Sequence, residues 1–163
     1  MPDRYFATRP DQMPWPEETA ALSGLDFLRA MVRGDLAGPP MAAAMGFALH
    51  DAEEGRAEFR GAPAFEHLNP MNVVHGGWYG TILDSAMGCA VASVLPAGRG
   101  YTTLEYKINL TRALPIGTEV ACIGRILHAG RSTAVAEGEI RGVEDGRLYA
   151  SGTTTCILFG QTT

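Results

Sequence analysis

Two hydrophobic periods divide the chain. Trp78, Ile82, Ala86, Met87, Ala90 and Val94 recur every three or four positions, the spacing of one helix face, and predict the longest helix, stopped by Pro96. Beyond it the period drops to two: Leu104, Tyr106, Ile108 and Leu110 alternate with Thr103, Glu105, Lys107 and Asn109, the signature of a strand. TEVACIGRILH, STAVAEGEIRG and RLYASGTTTCILF continue as strands, separated by the turn signals AGR and EDG. Upstream, Leu25, Leu28, Met31 and Val32 repeat at helical spacing behind Ser23, a good N-cap, and Gly34 and then Gly38-Pro39-Pro40 end that helix. MAAAMGFALHDAEEGRAEFRG reads as two short strands around an Asp/Glu/Gly turn, and APAFEHLNPMNVV as a long loop. Residues 1 to about 20 carry Pro2, Pro10, Pro14 and Pro16 and read as an irregular arm, with Tyr5, Phe6 and Trp15 to pack it against something. The order is helix, two strands, a long apolar helix, then four strands. It predicts an α+β fold, an antiparallel sheet wrapped around one helix, with an arm and first helix over 1–39 and the main domain over 40–163.

Composition narrows the chemistry. At 163 residues, 46% hydrophobic and 19% charged, the chain suits one globular domain. A net charge of -5 with no Lys/Arg cluster disfavours nucleic acid and anionic membranes as partners, while a few Arg residues can still meet a small anionic ligand. Cys89, Cys122 and Cys156 lack metal-ligand spacing, so buried apolar thiols in a reducing compartment are expected, with no metal and no cofactor. The N-terminal residues lack the apolar run of a secretory signal, and no apolar stretch reaches the length of a membrane span, which together give a cytoplasmic expectation.

The long helix contains an anomaly. At 100° per residue, Gly77, Gly80, Thr81, Asp84 and Gly88 share one narrow face. Glycine costs a helix about 1 kcal/mol relative to alanine, so three on one face imply close approach by a ligand or another helix. The helix begins near His75-Gly76-Gly77, where free N–H groups and the dipole favour negative charge. A developing oxyanion there gains roughly 3 kcal/mol per donor. Asp84 lies nine residues beyond His75, about 13 Å along the axis at 1.5 Å per residue, too far to serve the same chain's Gly76. A two-fold dimer brings the two ends together. Singly, each feature has an ordinary explanation: a solvated Asp84, a His75 bonded to backbone, close packing at Gly76 and Gly80, a turn at Asn69.

Taken together, Asn69, His75-Gly76-Gly77 and Asp84, on a loop and then a helix, resemble the signature of the hotdog-fold acyl-CoA thioesterases, PaaI-like (phenylacetate-degradation related) branch. TTLEYKINLTRALPIG and HAGRSTAVAEGEI resemble that family's next strand and hairpin, so the resemblance covers about residues 40 to 160, with Ala113 where the family commonly has Pro. It implies a hotdog fold, a homodimer or a dimer-of-dimers homotetramer, and hydrolysis of an aryl- or medium-chain acyl-CoA to free acid and CoA. Carried over by position, the Gly76 N–H polarises the thioester carbonyl, Asn69 and His75 support that end, Asp84 of the partner subunit is general base or nucleophile, and Thr103 helps hold the water. Gly77 admits the substrate, Arg131 and Ser132 meet the coenzyme A moiety, and Tyr79, with Phe65, Leu68 and Met71, offers apolar surface to the acyl group. The competing readings are a hotdog hydratase or dehydratase, whose His-Phe-Pro-Gly motif is absent, and a non-catalytic acyl-CoA-binding module. GxSxG, P-loop and HExxH motifs are also absent.

Overall fold

The computed structural model describes residues 5–14 and 16–160, so the readings that rest on Pro2 and Trp15 fall outside the described residues. The arm is not wholly irregular: it holds a 3-10 turn at Pro10–Gln12 and a four-residue helix, α1 (Pro16–Thr19). Helix α2 (Gly24–Arg33) starts as its sequence dictates, with the Ser23 hydroxyl accepting from the Asp26 N–H at 3.1 Å, and ends on Gly34 at φ 84°. The alanine run departs from expectation. Pro40–Ala44 forms a short helix, α3, because Pro40 suits a first helical turn and alanine is the strongest helix former. Strands β1 (Phe47–Glu53) and β2 (Arg56–Gly61) follow.

The central helix, α4, runs Gly76–Ala92, and β3 (Arg99–Leu110), β4 (Val120–Ala129), β5 (Thr133–Gly142) and β6 (Leu148–Gly160) complete one antiparallel sheet in the order β1-β2-β4-β5-β6-β3. The expected wrapping is present: Ile82, Leu83, Ala86, Met87 and Val91 of α4 are fully buried against the sheet. What lets the helix come so close is a row of small residues. Ala57, Gly124, Gly138 and Gly152 are register partners across β2, β4, β5 and β6. A Cβ on Gly124 would lie 2.1 Å from the Ala86 carbonyl oxygen, and one on Gly138 3.0 Å from Met87 Cγ. Glycine inside a strand marks such an approach.

Strand β3 is an edge strand, and a bulge breaks its alternation. Thr103 pairs with Cys156 and Glu105 with the adjacent Thr155, leaving Leu104 as the extra residue. The sequence period sets Thr103 opposite Tyr106. The bulge reverses that parity, so Tyr101 and Thr103 before it and Tyr106, Ile108 and Leu110 after it all reach α4. Among the described residues, no helix is long and apolar enough to cross a membrane.

Candidate active site

At the start of α4, Asn69 Oδ1 accepts from the Met71 N–H at 2.9 Å, and Asn72 takes the left-handed conformation (φ 58°) that asparagine tolerates. This tight loop is closed by a Leu68–Val74 bridge. His75 is the N-cap: its Nδ1 accepts from the Gly77 N–H at 2.8 Å, which fixes Nδ1 as the unprotonated nitrogen. The Gly77 donor is thereby spent on His75, whereas the Gly76 N–H has no acceptor among the described residues. Beneath this end lies a histidine that the sequence did not single out. Buried His67 accepts from the Ala64 N–H at 2.8 Å through Nδ1 and donates from Nε2 to the Ala44 carbonyl at 3.0 Å, and its own carbonyl receives the His75 N–H.

Two turns along α4, the Asp84 carboxylate is half-buried, and the Thr103 hydroxyl donates to its Oδ1 at 2.9 Å. The bulge in β3 is what aims Thr103 there. Within the chain the glycine face of α4 packs on β3: Tyr106 Oη and Ile108 Cδ1 lie 3.3 and 3.7 Å from a Cβ at Gly80, and Tyr101 Oη lies 2.8 Å from one at Gly88. The glycines accommodate the tyrosines of β3.

Asp84 and Thr103 open into a cavity of about 270 Å³ whose other walls include Phe6, Met31, Met41, Leu49, Phe59 and Tyr101. Phe6 is held there by the arm, since the Ala7 N–H donates to the Gly38 carbonyl at 2.9 Å and the Gly38 N–H to the Tyr5 carbonyl at 2.8 Å. Cys89, also on the wall, is no rival nucleophile. Burial, and then the Asp84 charge, push its thiol up to about 12, so it stays protonated near neutrality. Burial does most to raise the Tyr101 phenol, with Cys89, Cys156 and Asp84 adding to it.

The structure therefore brings Asp84 and Thr103 together, and separately gathers Asn69, His75, Gly76 and Gly77 at the helix start. Met71 and Leu68 belong to the loop at the helix start, whereas Tyr79, Arg131 and Ser132 join neither group. Tyr79 is 3% exposed, and its hydroxyl accepts from the Leu114 N–H at 2.9 Å, so it is a core residue rather than a wall of the Asp84 cavity. Burial raises its phenol, an effect that the Leu114 bond partly offsets. Phe65 and Met71 are exposed near the helix start and do not line the cavity. Arg131 and Ser132 stand exposed on the β4–β5 turn, where the Arg131 carbonyl accepts from Arg99 Nη2 at 2.9 Å. Two wall residues had a legible signal: Tyr101 sits two strand positions from Thr103, and Cys89 one helical turn past Ser85. Phe6, Met31 and Met41 had none, because only tertiary packing carries them to the site.

Comparison with known proteins bears on what such a site does. The sequence profile of the thioesterase superfamily matches residues 71–149. The chain is 36% identical to the conserved protein PA5202 of Pseudomonas aeruginosa, with TM-score 0.68, covering 73% of this chain and 93% of that one. It is 25% identical to the phenylacetic acid degradation protein PaaI of Thermus thermophilus, with TM-score 0.66, covering 72% and 97%. Mouse acyl-coenzyme A thioesterase 13 is 28% identical over 92 residues, 55% of this chain and 64% of the relative. The chain spans between half and two thirds of the length of the curated relatives it matches, 53% in the shorter case.

Proposed function

The chain belongs to the thioesterase superfamily and has its hotdog fold, and from that premise we propose that it hydrolyses an acyl-CoA to free acid and CoA, with Asp84 as general base. One observation carries the proposal: a carboxylate held by a hydroxyl, Thr103 to Asp84 at 2.9 Å, at the wall of a largely apolar cavity. Thr103 occupies Oδ1 and leaves Oδ2 to accept a proton from a water attacking the thioester carbonyl carbon. The tetrahedral oxyanion then needs a donor, and the unpaired Gly76 N–H at the positive end of α4 supplies one. Collapse of the intermediate breaks the C–S bond and releases the CoA thiolate, a better leaving group than an alkoxide. The proton taken by Asp84 is returned to the thiolate or to solvent.

Gly76 and Asp84 are eight residues apart on one straight helix, about 12 Å, so this reading places each site between two copies, one giving Gly76 and the other Asp84. The route to that pairing is β3. It is an edge strand with Leu104, Tyr106 and Leu110 at 59%, 46% and 50% exposure, and an unpaired apolar edge is a template for a second strand. Strand β3 runs antiparallel to α4, with Leu110 beside Gly76 and Thr103 bonded to Asp84. A two-fold axis through β3 near Tyr106 and Lys107 sets one copy's Leu110 across from the other's Thr103, and so Gly76 across from Asp84.

The test is thiol release from a panel of acyl-CoAs, run beside Asp84→Asn and Thr103→Val. Loss of general-base help costs about 10²- to 10⁴-fold. Asp84→Asn should therefore lose at least a hundredfold in kcat with an unchanged circular dichroism spectrum, and Thr103→Val a smaller factor. Tight acyl-CoA binding without turnover by the unaltered protein would favour a binding module instead. Transfer of ¹⁸O from labelled water into Asp84 during a single turnover would make Asp84 the nucleophile.

A further inference from the structure

Behind the Asp84 cavity lies a second, of about 600 Å³, between α2, the C-terminal half of α4 and the start of β3. Met31, Cys89 and Tyr101 line both cavities, so they form the wall that the two share. The order of lining residues is the same on both elements that flank them. Along α4, Asp84 and Ser85 face the first cavity, Cys89 faces both, and Ala92 faces the second. Along β3, Thr103 faces the first, Tyr101 both, and Arg99 the second. Helix and strand thus carry the two cavities in line from the carboxylate, parted by Met31, Cys89 and Tyr101, and one channel forms where those side chains turn aside.

Its length follows from that helix and strand. Asp84 to Ala92 is about 12 Å at 1.5 Å per helical residue, and Thr103 to Arg99 about 13 Å at 3.3 Å per strand residue. A zigzag hydrocarbon of 1.5 Å bonds advances roughly 1.3 Å per carbon, so nine or ten carbons span that distance. Phe27, Leu28, Leu95 and Phe159 make the second cavity apolar. Its polar limit is Arg99, whose buried Nε has no partner among the described residues and whose Nη2 holds the Arg131 carbonyl.

We propose that this channel receives the acyl chain and that α2 and the arm set its length, which makes the substrate class straight-chain acyl-CoA of about ten carbons or more rather than an arylacetyl-CoA. The proposal rests on the thioesterase reading of Asp84. Its argument is volume and alignment: at roughly 30 Å³ per water-sized group, the first cavity alone holds a phenylacetyl group and leaves the second unused. A straight chain instead crosses the shared wall and buries further methylenes, each worth about fourfold in binding. Phe27, Leu28 and Met31, which precede the superfamily match at residues 71–149, are the walls that would set chain length.

The experiment measures kcat/KM on butyryl-, octanoyl-, decanoyl-, lauroyl-, palmitoyl- and phenylacetyl-CoA for the full chain, Ala92→Phe and Leu22→Trp. Both substitutions fill the second cavity, the latter from a position 37% exposed where a large side chain is tolerated. The unaltered protein should rise severalfold at each step to decanoyl- or lauroyl-CoA and exceed its phenylacetyl-CoA value. Either variant should lose at least tenfold on lauroyl-CoA and less than twofold on butyryl-CoA, with melting temperature used to confirm folding. Hydrolysis with a chain-length profile that neither folded variant moves, or a preference for phenylacetyl-CoA, overturns the channel alone. Failure to hydrolyse any thioester overturns the thioesterase reading first, and the channel with it.

Discussion

Glu58 is buried on β2 between two guanidiniums: Arg60 Nε donates to Oε1 at 2.7 Å, and Arg56 to Oε2. Burial by itself pushes this carboxyl up, but the hydrogen bonds and charges of Arg60 and Arg56 outweigh it and hold the group below its ordinary 4.5. A carboxyl depressed in the folded state contributes stability above its unfolded value, and that contribution is lost as pH falls through the folded value. Glu58→Gln should therefore lower the urea midpoint near neutral pH, and the gap to the unaltered protein should close as the pH drops below about 4.5. A gap that stays constant across an acid titration would show that Glu58 acts by packing alone. This triad was readable, since positions 56, 58 and 60 share a strand face. Thr103 was legible as a residue but not as a direction. A bulge is an extra residue in one strand relative to its neighbour, and nothing in the β3 sequence alone records its pairing with β6.

Among the elements, α4 depends most on what lies beneath it. Its sequence announced the helix, its small-residue face and the His75 start, because period and capping are local properties. The glycine row was illegible for the opposite reason: Gly124, Gly138 and Gly152 are far apart in sequence, and only the register of three hairpin-linked strands aligns them. That row bears directly on the site, because it sets how deeply α4 sits and hence where Asp84 meets Thr103. Gly124→Ala drives a methyl group into the backbone at Ala86 and Met87, which cannot swing away as a side chain can. Overpacking of this kind costs about 1–3 kcal/mol, and at roughly 2–4 °C per kcal/mol for a chain of this size the melting temperature should fall by several degrees in a calorimetric scan. Gly34→Ala tests a different property. Nothing lies near its Cβ, so any loss there reflects only the strain of φ 84° at the end of α2.

At the scale of the whole molecule, the two halves of the proposed site face the same strand from the start and the middle of one helix, and a rigid helix cannot fold them together. On the proposed reading the assembly is part of the chemistry, which mixing two inactive variants tests. Gly76 is the first residue of α4, and His75 before it is extended at φ -62°, ψ 137°. A proline is tolerated at such a position and removes its N–H, so Gly76→Pro deletes the proposed oxyanion donor while leaving the helix its start. Alone, Gly76→Pro and Asp84→Asn should each be nearly inactive, because every site in a dimer of either variant lacks one half. Co-refolded in equal amounts, they should regain activity. In a mixed dimer one site carries both defects and the other carries neither, and random pairing makes half the dimers mixed, so about a quarter of the unaltered activity should return. Recovery should fall on dilution below the dimer's dissociation constant, and with Leu104→Lys on both chains, which sets like charges along the β3 edge. A mixture that stays as inactive as its parents, while sedimentation shows mixed dimers present, would place Gly76 and Asp84 in one chain's site after all and would require α4 to bend.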